Sequence, residues 1–171
     1  MKTTRSGQAA ITDLFIAVAI FIVLITITTL IWNLYTVRLE ARLDYDTMLL
    51  RNYHIVEGLI RSPGYPEDWE RWNLPNETTQ FFGLTEYDHV LSAAKVEKFV
   101  ELSNPLNPQY AGLKEIMKIA LYDYYFVLKT ENDVIVYSSG RIPTGKYAVN
   151  LARLVLFQGQ PHILEFAVWK P

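Results

Sequence analysis

Hydrophobic and polar positions first mark out one long apolar run near the start of the chain. From Leu14 to Trp32 no residue is charged, and the polar side chains are limited to Thr26, Thr28 and Thr29. Threonine hydroxyls can bond the backbone of their own helix, so lipid tolerates them. At about 1.5 Å per residue the run covers roughly 28 Å, the thickness of a bilayer's hydrocarbon core. The pattern predicts one membrane-spanning helix.

The same helix is predicted to continue past the membrane. No Gly or Pro interrupts the sequence between Gln8 and Glu57, and the first strong stop is the segment Ser62-Pro63-Gly64. Steps of 100° per residue place one apolar stripe on a face that we expect to contact the globular domain. That stripe consists of Leu34, Val37, Ala41, Tyr45, Met48, Ile55 and Leu59.

A second, narrower stripe lies on roughly the opposite side of this helix and contains Leu39, Leu43 and Leu50. A helix that packs against a single domain should be polar there, so the stripe suggests a second partner for assembly. In the alternative interpretation, a few leucines among many charged residues form an ordinary solvated face.

The remainder of the chain, residues 63–171, is predicted to form one globular domain. Its first part has no regular period and is interpreted as an ordered loop that buries its aromatic side chains, Tyr65, Trp69, Trp72, Phe81 and Phe82. Two short amphipathic helices are expected over residues 93–102 and 112–121.

Four strands are expected after these helices, over residues 124–130, 133–139, 148–157 and 162–169. Glu131-Asn132 is interpreted as a tight hairpin connection, and residues 158–161 as the connection of the last pair. The fold class is therefore α+β: a long N-terminal helix, then a head with two short helices and a four-stranded antiparallel sheet.

Composition removes several classes of function. The formal net charge is −2 and basic residues are not clustered, which argues against nucleic acid as a partner. The chain has no cysteine, which excludes disulfides, thiolate zinc sites and cysteine nucleophiles. The domain must be held together by packing.

The sequence contains no motif for catalysis. His54, His89 and His162 lie far apart, and there is no phosphate-binding loop or nucleophile elbow. The acidic residues of segment 67–70 lack the spacing of a calcium loop, and we interpret them as solvated loop charges. We expect no enzyme activity, no cofactor and no metal.

Asn76-Glu77-Thr78 matches the N-glycosylation acceptor, so Asn76 is a candidate modification site in an exported domain.

One short motif points to a family. Arg5-Ser6-Gly7-Gln8-Ala9-Ala10, directly ahead of the apolar run, resembles the class III signal of archaeal type IV pilin-like proteins, which a prepilin peptidase cuts between Gly and Gln. The order of elements, a spine helix followed by a sheet, is also similar to the pilin and pseudopilin architecture.

The resemblance implies a leader over residues 1–7, a hydrophobic helix over 8–62 with its membrane span at about 14–32, and an extracytoplasmic domain over 63–171. Gly7 and Gln8 are then the processing residues. Lys2 and Arg5 precede the span, which agrees with a cytoplasmic N-terminus and an extracellular C-terminal domain.

Asp13 departs slightly from the family pattern. Pilins of this type often carry an acidic residue at mature position five, whereas a cut after Gly7 places Thr12 there and Asp13 at position six. In one interpretation the Asp13 carboxylate pairs with the N-terminal amine of a neighbouring subunit. In the other, the dipole at the helix start stabilises it locally. Both interpretations stay open.

Taken with the motif, the sequence predicts a major or minor structural subunit of an archaeal type IV pilus-like filament. Its partners would be copies of itself or other pilins, the prepilin peptidase, and membrane lipid before assembly. The alternative is a single-pass membrane-anchored binding module in which the aromatic loop over residues 65–82 recognises a ligand.

Overall fold

The computed structural model of the chain describes residues 4–72, 79–144 and 148–171, and describes the backbone alone for residues 4–10 and 41. The chain divides into two compact units, residues 1–44 and 45–171. A single helix, α1, runs from Thr4 to Arg61 and contributes to both. The predicted uninterrupted helix is confirmed, and it ends at the residue before the Ser62-Pro63-Gly64 stop.

The first unit is helical throughout its described length. Its large apolar side chains from Ile11 to Leu43 are exposed. Within the described residues, α1 is the one helix long and apolar enough to cross a membrane, by length and composition. Leu34 and Val37, which were expected to face the globular domain, belong to this exposed surface.

The second unit begins with the last turns of α1, which bury one face. The residues on that face recur every three or four positions, the period of an α-helix. They are Met48, Asn52, Val56, Leu59 and Ile60. Met48 and Leu59 were predicted from the first stripe, whereas the buried Asn52 was not because it is polar. Its side-chain amide donates to the backbone carbonyls of Val149 and Phe166 at 2.8 and 3.0 Å.

The segment after α1 is more regular than the predicted loop. Strand β1, Gly64–Tyr65, pairs antiparallel with β2, Phe81–Phe82, and a single 3-10 turn covers Trp69–Arg71. Trp69 and Phe82 are buried as predicted, and their rings meet edge to face at 5.0 Å. The burial prediction is wrong for the remaining aromatics of this segment. Tyr65, Trp72 and Phe81 are exposed.

A mixed six-stranded sheet forms the rest of the head. Its strands are β3 Thr85–Tyr87, β4 Val90–Leu91, β5 Asp123–Thr130, β6 Ile135–Gly140, β7 Ala148–Phe157 and β8 Gln160–Trp169. The order across the sheet is β3-β4-β7-β8-β5-β6, and the β4–β7 pair is parallel. The α+β class is confirmed, but the predicted four-stranded antiparallel sheet is wrong. The four expected strands are present, and two strands too short to show alternation extend the sheet beside β7.

Both predicted strand connections differ in length from the structure. The β5–β6 connection spans residues 131–134, since the amide of Thr130 bonds the carbonyl of Val134 at 2.9 Å and Asp133 has φ 61°. The β7–β8 connection is only Gln158-Gly159, with φ 52° and 75°. Positive φ at both central residues is the signature of a type I′ hairpin turn, which lets β8 begin at Gln160.

The two short helices lie between β4 and β5. Helix α2, Ala93–Leu102, has the predicted bounds, whereas α3 spans Tyr110–Ile116 and ends earlier than predicted. Lys118 adopts φ 58°, and the amide of Ile119 donates to the carbonyl of Lys114 at 2.9 Å. This is the Schellman end of a helix, here with lysine in the position that usually holds glycine. Because no glycine stands at this position, the end of α3 could not be predicted from the sequence.

Candidate functional site

The first candidate surface is the exposed apolar part of α1 in the first unit. The hydroxyls of Thr26, Thr28 and Thr29 donate to the carbonyl four residues earlier at 2.8–2.9 Å, as the sequence predicted. Thr36 does the same at 2.9 Å. The hydrogen bonds of these hydroxyls are therefore satisfied within the helix. The surface is suited to contact with lipid or with apolar protein.

The second-stripe leucines are exposed. In the first unit the exposed fractions are 58% for Leu39 and 56% for Leu43, and in the second unit Leu50 is 60% exposed. Their exposure agrees with a role in binding, although exposed leucines are by themselves common. The assembly role of these three residues stays a prediction.

Three of the remaining predicted site residues, Gly7, Gln8 and Asp13, lie on α1. Gly7 and Gln8 lie in the first turns of α1, where the backbone alone is described, and Asp13 is an exposed residue of the same helix. Asn76 lies outside the described residues. Processing at Gly7, pairing of Asp13 and glycosylation of Asn76 stay predictions.

The acidic segment after α1 acts electrostatically on a buried lysine, Lys95. The Lys95 ammonium donates to the carbonyls of Pro63 and Thr85 at 2.8 and 3.3 Å, and the side chain is almost wholly buried. Burial lowers the pKa of Lys95 below its usual value, and nearby carboxylates oppose that shift. Those carboxylates belong to Glu70, Glu67, Glu86 and Asp68. The cluster interpreted as solvated loop charge therefore also balances a cation that fastens the loop to α2.

The histidines do not converge in the structure. His89 Nδ1 lies 2.9 Å from an oxygen of Asp88, and His162 Nδ1 lies 3.0 Å from the carbonyl of Gln160. His54 is an exposed residue of α1. Across residues 4–72, 79–144 and 148–171, no group of three His, Asp or Glu side chains is arranged to hold a metal ion.

A groove in the second unit was not predicted from the sequence. Its volume is about 510 Å³, and it is lined by one face of α1, by the segment that ends in β2, and by the end of α3. The lining residues are Arg51, His54, Ile55, Gly58, Leu59, Gln80, Phe81, Phe82, Ile116, Met117 and Lys118. These three segments lie far apart in sequence, so no local pattern could have revealed the groove.

The basic side of the groove is held by defined contacts. The Arg51 guanidinium donates to the carbonyl of Lys118 and lies 5.7 Å from the centre of the Tyr122 ring. Because Lys118 occupies the left-handed position that ends α3, its carbonyl is available to Arg51. The helix end and α1 are thereby joined at the groove.

Gly58 marks the place where the groove reaches the backbone of α1. A Cβ added at Gly58 would meet no atom within 4 Å. Glycine is less favourable than alanine within a helix, and here it leaves the backbone of α1 open to the groove.

Comparisons with protein-family models, with curated proteins and with solved structures gave no match. The architecture is therefore classified from the arrangement of its helices and strands alone. A long apolar N-terminal helix, whose last turns pack against a mixed β-sheet, is a pilin-like architecture.

Proposed function

We propose that this chain is a structural subunit of an archaeal type IV pilus-like surface filament. The observation that carries the proposal is the continuity of α1, which joins an exposed apolar cylinder to a helical face buried in the head. A helix that served only as an anchor could end at the membrane surface. One that also forms a filament core must be continuous and present apolar surface to its neighbours.

The proposal includes the processing and assembly steps that the signal motif implies. The prepilin peptidase removes residues 1–7, and the span at about 14–32 holds the subunit in the membrane with its head outside. Copies then pack through α1, either with themselves or with other pilins. The role is structural rather than catalytic.

The proposal is tested by the N-terminus of the protein isolated from cell membranes and from sheared filaments. Intact-mass measurement or N-terminal sequencing should give a chain that starts at Gln8. Substitution of Gly7 by a β-branched residue, Gly7→Val, should leave the precursor uncut and remove the protein from the filament fraction. A wild-type chain that retains Met1 would contradict the proposal.

A second function is favoured by a different observation. The segment after α1 carries three exposed aromatic residues. The exposed fractions are 54% for Tyr65, 44% for Trp72 and 41% for Phe81. Exposed aromatic residues are common in binding surfaces. In this alternative α1 is a permanent anchor and the aromatic segment binds a ligand. Uncut protein would then dominate in membranes, and no filament fraction would contain the chain.

A further inference from the structure

The groove lined by α1, β2 and the end of α3 has a composition that favours one kind of occupant. Its floor and walls are apolar, with Ile55, Phe82 and Met117 among them. The charged lining residues, Arg51 and Lys118, are cations, and none of the lining residues is acidic. An apolar surface that also carries negative charge would match it.

Gly58 suggests that the occupant has a regular backbone. Because the position of its missing Cβ opens onto empty space, a neighbouring main chain can approach α1 closely there. Close approach at a glycine is a common feature of helix–helix packing, since the side chains of one helix fill the space beside the backbone of the other.

This chain itself contains a helical segment with the matching chemistry. Leu39, Leu43, Asp46 and Leu50 are spaced by four, three and four residues, which places them along one face of a helix. All four are exposed. The face is apolar at three positions and acidic at one, so it offers apolar contacts to the groove together with the negative charge that the groove lacks.

We propose that the groove of one copy receives the 39–50 face of α1 from a second copy, with Asp46 beside Lys118 and Arg51. The inference rests on the proposed function, because it requires copies of the chain to meet. The groove and the 39–50 face share no residue, so the contact is heterologous. Each copy can give its helix face to one neighbour and its groove to another, which builds an open-ended array rather than a closed dimer.

The absence of cysteine from the chain makes a disulfide test direct. Full-length copies carrying L43C and full-length copies carrying Q80C are produced in one cell with different tags, and both the membranes and the sheared filaments are then oxidised. The proposal expects a mixed L43C–Q80C disulfide in clear excess over either homodimer. Copies carrying L106C replace the Q80C copies as the matched control, because Leu106 is 92% exposed and lies outside the groove. Equal yields for Q80C and L106C would overturn the proposal.

Charge reversal tests the predicted pairing within the same assay. D46K on the L43C copy, or K118E on the Q80C copy, should each lower the mixed-disulfide yield by roughly threefold or more. The two reversals together should restore it, an outcome that a structural defect in either copy would not produce. R71E on the Q80C copy is the control, because Arg71 is an exposed cation of the head outside the groove.

A substitution that fills the groove gives an independent test of the contact. G58F should abolish the mixed disulfide while leaving the head folded, because the added side chain extends into open space. If the yield is unchanged by G58F and by both charge reversals, the groove does not receive the 39–50 face, and the proposal is wrong.

Failure of this inference and failure of the proposed function give different results. Chains that start at Gln8 and enter filaments, but show no preference for the L43C–Q80C pair, would overturn the groove contact alone. Chains that retain Met1 and form no filaments would overturn the proposed function. A mixed disulfide in that second case would still show the contact between copies.

Discussion

At the scale of single residues, two glycines of the second unit have opposite surroundings. A Cβ at Gly83 would lie 1.9 Å from the carbonyl oxygen of Ser62 and 2.5 Å from the amide nitrogen of Gly64. These are backbone atoms that cannot move without opening the β1–β2 region. Gly58 faces open space and sits in a helix interior, where glycine is less favourable than alanine.

We therefore expect Gly83→Ala to lower the free energy of unfolding by about 3 kcal/mol, and Gly58→Ala to raise it by about 0.5–1 kcal/mol. Denaturant unfolding of the full chain in detergent, followed by tryptophan fluorescence, measures both. The buried Trp69 reports on the Gly83 region, since its ring nitrogen donates to the Gly83 carbonyl at 2.9 Å. Equal effects of the two substitutions would contradict the steric argument.

Asn52 is the second residue whose surroundings predict a large effect. It is fully buried on α1, and its amide donates to two carbonyls of different strands, at Val149 in β7 and Phe166 in β8. Alanine could make neither of these bonds, and each buried hydrogen bond that is lost costs about 1 kcal/mol.

Asn52→Ala should therefore lower the free energy of unfolding by about 2 kcal/mol. Asn150→Ala is the matched control, because Asn150 is exposed on β7 and its replacement should change stability by less than about 0.5 kcal/mol. Chemical denaturation of the two variants in the same detergent compares them. Similar losses would mean that Asn52 contributes no more than an ordinary surface amide.

At the scale of elements, length decided what could be predicted. Helices α1 and α2 and the strands β5 to β8 are each at least six residues long, which is enough to show a helical face or a run of strand-forming residues. Strands β3 and β4 have three and two residues. Between them His89 takes φ 61°, and its carbonyl accepts the amide of Leu156 in β7. No pattern of so few residues can show alternation.

The end of α3 shows a different limit. Its apolar periodicity continues beyond Ile116, which is why a longer helix was predicted. Lys118 ends it by adopting a left-handed conformation that lysine rarely takes. The candidate groove shares this limit, because Arg51, Phe82 and Lys118 come from three elements that meet only after folding. The second stripe of Leu39, Leu43 and Leu50, by contrast, follows from helical periodicity alone, and its role in assembly stays a prediction.

At the scale of the whole molecule, the head depends on neutral tyrosines in its core. Tyr110 stacks on Tyr124, which in turn stacks on Phe166, with ring centres 5.5 and 5.2 Å apart. Burial raises the pKa of Tyr110 from its ordinary value of 10.0 to about 12, and the nearby Asp123 carboxylate adds to the shift. Burial also raises the pKa of Tyr124.

Raised pKa values mean that the folded head holds these protons more tightly than the unfolded chain does. The contribution of neutral Tyr110 to stability is fully present below pH 10.0 and is lost as pH rises to about 12. Urea unfolding at several pH values across this range should show a steep loss of stability for the wild-type chain. Tyr110→Phe, which has no proton to lose, should show a shallower one. Parallel pH profiles for the two proteins would contradict this assignment.

The threonine bonds of the first unit have a consequence for how this helix can change its surroundings. Because Thr26, Thr28 and Thr29 donate to carbonyls of their own helix, none of them depends on a lipid, a water or a protein neighbour. Transfer of the helix from a bilayer into a protein environment therefore breaks no hydrogen bond made by these hydroxyls. The free-energy difference between the helix in lipid and the helix packed against protein then depends on how well apolar surfaces fit together. The proposed transfer is therefore sensitive to the shape of each exposed side chain.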